Sequence, residues 1–200
     1  MNHNFFALIS RMKYINRWAL MRNTREENLC EHSMEVAIIA HCLCVIGNTR
    51  YGKSLDANRA AIIGLYHDAS EIITGDMPTP VKYFNNSLKH AYKDVEALAD
   101  KKLLEHLPED IKGPFTDIFE YDKDNDNEAY LRKLVKAADK LSALIKCTNE
   151  INAGNHEFAT AKESTEKSVR SLYAELPEVL DFVNDFMDPY GDTLDELLIQ

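Results

Sequence analysis

Two hundred residues, 45% of them apolar and 28% charged, describe a chain able to bury a core within one domain of ordinary size, residues 1–200. A formal net charge of -10 repels a polyanionic backbone, and no basic stripe interleaved with aromatics offsets it, which excludes nucleic acid as a partner; a phosphorylated ligand has to be small, with its charge met locally. The longest uncharged run, around residues 36–46 and ended by Arg50, is too short to cross a bilayer, so a membrane protein is excluded as well.

The N-terminal stretch MNHNFFALISRMKYINRW has no sustained apolar run followed by a small-residue cleavage site, and it reads as mature protein. Cys30, Cys42, Cys44 and Cys147 show no CxxC spacing, and three of them fall within apolar helical patterns, as reduced buried thiols do. Both features point to the cytoplasm.

In chain order, strand patterns are nearly absent and apolar residues recur at three and four, so the chain reads as all-α. A helix is predicted over residues 5–15, followed by an irregular stretch and a helix over 33–46 that Gly47 and Asn48 end. The next runs from a cap at Asp56 to Thr74, closed by Gly75 and the stiff turn DMPTP. Residues 86–107 form a charged amphipathic helix, and Pro108 opens a short one. DKDNDNE, residues 122–128, reads as an acidic surface loop and candidate hinge; it lacks the turn glycine and twelfth-position glutamate of a calcium loop. A strong helix covers 130–151 with AGN capping its end, and helices over 156–175 and 177–187 read as packing elements. No internal repeat or low-complexity tract interrupts the pattern.

Three polar residues, His67, Asp68 and Glu71, stand within one and a half turns of each other in GLYHDASEIITG. Ile62, Ile63, Leu65, Ile72 and Ile73 around them predict a core helix, where an unpartnered carboxylate is costly. A buried histidine is more often a hydrogen-bonded core residue than a ligand, and a His-Asp pair can be a plain salt bridge. Two further polar intrusions match them: His32 in CEHS opens a hydrophobic helix, and Asp139 in KAADKL interrupts an apolar face. Two histidines and two aspartates from three helices offer a divalent metal mixed nitrogen and oxygen ligands with room for water or a substrate oxygen. His41, nine residues beyond His32, reads as a core or rim residue, and most of His3, His90, His106 and His156 as surface residues.

The order His32, His67-Asp68, Asp139 resembles the H…HD…D pattern of HD-domain phosphohydrolases. The strings NRW, EHS, YHDASE, TGDMPTPVKYF and KAADKL resemble the bacterial 5′-deoxynucleotidases of that superfamily over the chain to about residue 158. The helices of residues 160–200 carry no matching motif. The resemblance implies an all-α, single-domain HD fold in which His32, His67, Asp68 and Asp139 bind one divalent ion, with cobalt or manganese first and magnesium, zinc or copper as further candidates. It implies that Glu71 is the catalytic carboxylate and that Arg17 orients the phosphate. Trp18 packs by the sugar and disfavours a ribose 2′-hydroxyl, while Asp76, Met77, Pro78 and Thr79 line the nucleoside end. His32 and Asp139 also face the substrate. A homodimer follows from the resemblance alone.

The expected reaction is hydrolysis of a 2′-deoxynucleoside 5′-monophosphate to deoxynucleoside and phosphate. A divalent ion neutralises phosphoryl oxygens and lowers the pKa of bound water, the guanidinium fork of Arg17 takes remaining oxygens, and Glu71 manages protons. Two alternatives stand beside it. Another HD-type nucleotide phosphohydrolase predicts more cations near the motifs for extra phosphates, and a non-catalytic, nucleotide-responsive metal-binding module predicts that Glu71 is dispensable.

Overall fold

The computed structural model describes residues 3–82, 84–122 and 124–199, with the side chains of Thr79 and Pro80 outside that description. Helix α1 (Phe5–Ile9) passes into a 3-10 turn over Ser10–Tyr14, so the predicted N-terminal helix exists as two short pieces, the second more tightly wound.

The central helix α2 (Leu29–Tyr51) begins four residues earlier than its apolar pattern predicts. Asn28 accepts hydrogen bonds from the Cys30 and Glu31 amides, and the Glu31 side chain takes the Asn28 amide, which satisfies backbone donors at the helix start. His32 therefore sits in the first turn rather than ahead of it. At the other end the helix runs through Gly47 and Asn48 to stop at Gly52, whose φ of 63° suits glycine. Asn48 instead ties down the link that follows, exchanging two hydrogen bonds with the Leu55 backbone. Although α2 is long and apolar enough to cross a membrane, more than half of its 18-residue apolar window is buried in protein.

Helix α3 (Ala57–Tyr66) starts at Asp56, which caps it by accepting the Arg59 amide as expected. It does not continue to Thr74. The chain leaves α-helical bonding at His67, forms turns with i to i+3 bonds from Ala69 to Tyr66 and from Glu71 to Asp68, and re-enters a single turn, α4 (Glu71–Thr74). The break also revises the core: Ile63 is buried, but Ile62, Leu65 and Ile73 are 41–48% exposed. Helix α5 (Thr79–Lys82) follows an extended link from Gly75.

Helices α6 (Asn86–Leu104) and α7 (Glu109–Phe119) close over that turn. Ala69 is fully buried against Phe5, Leu103, Leu104 and Leu107, with Tyr66, Phe115 and Phe119 alongside. Helix α8 (Asp126–Asn152) starts at an Asn125 cap, so the acidic segment is half helix rather than a free loop or hinge; Lys123 lies outside the described residues. Its Glu128 is buried and bonded to both Arg59 and Arg132.

The main core lies where α2 crosses α3 and α8: Val36, Ile39, Ala40 and Leu43 meet Ile63, Leu134, Ala138, Leu141 and Ile145. Gly64 makes the α2–α3 crossing close, because a Cβ there would stand 2.8 Å from the Ala37 Cα. The predicted helix over 156–175 is a 3-10 turn (His156–Phe158) and α9 (Ala159–Arg170), followed by turns. Helix α10 (Pro177–Phe186) packs Val179 and Phe182 into the same core as α2, and α11 (Leu194–Ile199) follows it. The four thiols are free, and Cys44 and Cys147 are buried, with burial pushing them up to about 12 and about 11.

Candidate metal centre and active site

His32 arrives from the first turn of α2, His67 and Asp68 from the turn that ends α3, and Asp139 from the middle of α8. The close α2–α3 crossing at Gly64 brings the two imidazole centroids to 5.2 Å. His67 Nε2 lies 3.1 Å from Asp68 Oδ2, and His32 Nε2 lies 3.6 Å from the same oxygen and 3.2 Å from Asp139 Oδ1. One ligand atom from each of His32, His67 and Asp68 fits within 4.8 Å of the others. All four residues expected as ligands thus meet in one place.

The second ring nitrogens explain why the first are available. Ser142 donates its hydroxyl hydrogen to Glu35 Oε2 at 2.5 Å, so its oxygen is left to accept from His32 Nδ1 at 3.0 Å. The Gly64 carbonyl, which can only accept, takes the His67 Nδ1 hydrogen at 2.7 Å. In the neutral form both rings then present an Nε2 lone pair, and both Nε2 atoms are buried without a hydrogen-bond partner. Buried, unpartnered nitrogen donors beside carboxylate oxygens fit a divalent cation.

Without a cation the charges settle among themselves. Burial works against ionising His67, but the Asp68 carboxylate beside it raises its pKa to about 9. Asp68 is held well below the usual carboxylate range: against burial, His67, His32 and Arg17 all favour its charge. His32 moves the other way, lowered by burial first and then by Arg17. Glu71 is 6% exposed with Oε2 unpartnered; burial, followed by the Asp68 and Asp76 charges, lifts its carboxyl to about 9. It holds a proton at neutral pH.

Arg17 and Trp18 come from a ribbon-like loop closed by an antiparallel bridge between Asn16 and Asn28. The Arg17 guanidinium is buried, 2.9 Å from Glu27 and 3.8 Å from Asp139, with Asp68 and Asp76 also within its field. Trp18 has a φ of 57°, stands against Phe158, and donates its indole N–H to Glu27. Asp76 follows α4; its carboxyl is raised by burial and turned toward Arg17 and the Trp18 amide. Met77 and Pro78 are half-buried in the extended link, and Thr79 opens α5, its side chain lying outside the described residues. His41, expected in the core or at its rim, is exposed.

A cavity of about 300 Å³ opens beside the cluster, with His67, Asp68 and Asp139 at one end and Tyr66, Phe119 and Tyr121 along its wall. Sequence reasoning missed Ser142, Glu35 and Glu27. The first two follow Asp139 and His32 by three residues, a one-turn spacing that marks them as neighbours, while Glu27 carries no local signal.

The profile of the YfbR-like 5′-deoxynucleotidases matches residues 4–190. A 5′-deoxynucleotidase of Erwinia tasmaniensis is 43% identical over 194 residues, 97% of this chain and 96% of the relative. One of Photorhabdus laumondii is 44% identical over 197 residues, 98% and 97% of the two chains. Among solved structures, an HD-domain phosphohydrolase of Listeria innocua superposes with a TM-score of 0.79 at 22% identity, covering 96% of this chain and 90% of its own. The HD phosphohydrolase of cyanophage S-2L, solved with dA and one catalytic Zn2+ ion, superposes with a TM-score of 0.65 at 22% identity, over 94% and 96%.

Proposed function

The chain belongs to the YfbR-like family of 5′-deoxynucleotidases, metal-dependent phosphomonoesterases, and from that membership we propose which of its residues carry the hydrolysis of 2′-deoxynucleoside 5′-monophosphates. His32, His67, Asp68 and Asp139 hold one divalent cation, cobalt or manganese in preference to magnesium, zinc or copper. When bound, the cation neutralises phosphoryl oxygens and acidifies water. Arg17 orients the phosphate through its planar fork, and against burial the carboxylates of Glu27, Asp139, Asp68 and Asp76 keep it charged. Glu71, which holds a proton, delivers it to the leaving 5′-oxygen. Trp18 stands against the sugar, and Asp76 through Thr79 line the nucleoside end.

One observation carries this reading: two imidazoles, anchored through Nδ1 by Ser142 and the Gly64 carbonyl, turn buried Nε2 atoms toward two carboxylates, beside a third carboxyl that keeps its proton. The same reading takes residues 1–200 as one domain, supported by Val169, Leu176, Val179 and Phe182 in the core shared with α2 and α8. It takes the protein as a cytoplasmic homodimer. Met34, Ile38 and Val45 support the dimer, forming an exposed apolar stripe on one face of α2. Light scattering that finds a monomer at micromolar concentration would remove that part.

The deciding experiment is phosphate release by metal-stripped protein resupplied with cobalt, manganese or magnesium, on matched deoxy- and ribonucleoside 5′-monophosphates and one triphosphate. Release from the deoxy monophosphates alone, dependent on metal, is expected. Silence across the panel with metal bound would overturn the residue assignment in favour of a binding module.

A further inference from the structure

Consecutive residues in an extended segment point to opposite faces, so Arg17 and Trp18, beside the Asn16–Asn28 bridge, should diverge. They do not. The left-handed φ of 57° at Trp18 turns the indole back, and both Arg17 Nη1, at 2.9 Å, and Trp18 Nε1, at 3.2 Å, donate to one atom, Glu27 Oε2. Left-handed backbone costs a bulky L residue about 1–2 kcal/mol, so something nearby has to hold it. The backbone helps: the Arg17 amide donates to the Glu27 carbonyl at 2.9 Å, and Asn23 donates to the Trp18 carbonyl at 3.1 Å. The guanidinium also lies over the indole, 5.9 Å from its centroid, and the Glu27 carboxylate, itself largely buried, adds the hydrogen bonds that tie the two side chains to one atom.

We propose that Glu27 is a positioning residue for turnover and for sugar selection: its one oxygen sets the guanidinium and the indole at a common spacing, so that phosphate and deoxyribose are registered together. The inference rests on the proposed roles of Arg17 and Trp18. Glu27 acts through these two residues rather than on the substrate. Because Asp139 also reaches Arg17, at 3.8 Å, loss of Glu27 lets the guanidinium shift, while the indole loses the acceptor for its N–H and keeps only its ring contacts with Phe158 and Arg17.

The test compares Glu27→Ala and Glu27→Gln with wild type in kcat and KM on matched deoxy- and ribonucleoside monophosphates, in manganese affinity, in melting temperature and in tryptophan emission. Trp18 is the single tryptophan, so emission reports the indole directly. Glu27→Ala is expected to lose about 10–100-fold in kcat/KM for the deoxy substrate, as sub-ångström to ångström misplacement does, and to lower the deoxy-to-ribo ratio about tenfold with shifted emission and unchanged manganese affinity. Glu27→Gln still offers an acceptor to the indole but no charge to Arg17. It should recover the ratio and the emission while kcat stays low. A lower melting temperature with wild-type kcat and ratio would make Glu27 merely structural and overturn the proposal; should Glu27→Ala not fold, wild-type kcat in Glu27→Gln overturns it alone. Wild-type protein inactive on every monophosphate sinks the functional reading and this inference together, whereas a deoxy-selective wild type with inert Glu27 variants sinks only this one.

Discussion

Cation binding at this centre has to expel a proton from His67. The ring sits 3.1 Å from Asp68, and that carboxylate lifts it to about 9, so at pH 7 only ~1% of the metal-free protein presents a neutral imidazole. Apparent affinity at pH 7 should then be ~100-fold below its high-pH limit, about 2.7 kcal/mol, and should climb about tenfold per pH unit until pH approaches 9. His32, already pushed toward neutrality by burial and Arg17, contributes no proton. Calorimetric titration of manganese into stripped protein, in two buffers of different ionisation enthalpy, measures both affinity and proton release. The same titration on Glu71→Gln removes the other proton held there, since Glu71 also titrates near 9, and isolates His67. Stability runs with it. A folded pKa above the unfolded value of 6.5 means the native state binds the extra proton, so this contribution is full below about pH 6.5 and is lost as pH rises toward about 9. Metal-free protein should therefore melt progressively lower across that window, and metal-loaded protein should not. An affinity flat between pH 6.5 and 8.5, with no proton released, would refute the reasoning.

Three substitutions probe the rest of the centre. Glu71→Gln keeps the shape but cannot cycle a proton; turnover should fall by about 10²–10⁴-fold while manganese still binds, and retained turnover would strip Glu71 of its role. Ser142→Ala leaves His32 Nδ1 and Glu35 unpaired, which should cost about 1–3 kcal/mol in chemical denaturation and ~10–100-fold in metal affinity; unchanged affinity would show that the Ser142 contact does not orient the ring. Gly64→Ala drives a methyl group to 2.8 Å from the Ala37 backbone; the expected loss of about 1–3 kcal/mol lowers the melting temperature about 2–4 °C per kcal/mol, and an undisturbed melt would mean the two helices separate at no cost.

The helices were legible because their periodicity is local: α2, α6 and α8 each carry their apolar spacing in their own residues, and Asp56 announces its helix. The proposed ligands were legible for a related reason, as polar residues intruding on apolar faces, and the strings around them resembled a family. What spacing could not disclose depended on where one element meets another. The break at His67 comes where Ala69 buries against Phe5 of α1 and Leu103 and Leu104 of α6, contacts that the local apolar spacing does not show. Glu128 reads as part of an acidic surface run and is instead enclosed by Arg59, 69 residues away, and Arg132. The acceptor that orients His32 lies 110 residues on, at Ser142, and the carboxylate that gathers Arg17 and Trp18 faces them only because Trp18 adopts a left-handed turn. The sequence by itself determined the helices and the chemistry of the donor set. The crossings of α2 with α3 and α8 decided which nitrogen of each histidine is bare and which carboxyl keeps its proton, because tautomer and pKa answer to neighbours across a few ångströms of space, whatever their separation along the chain.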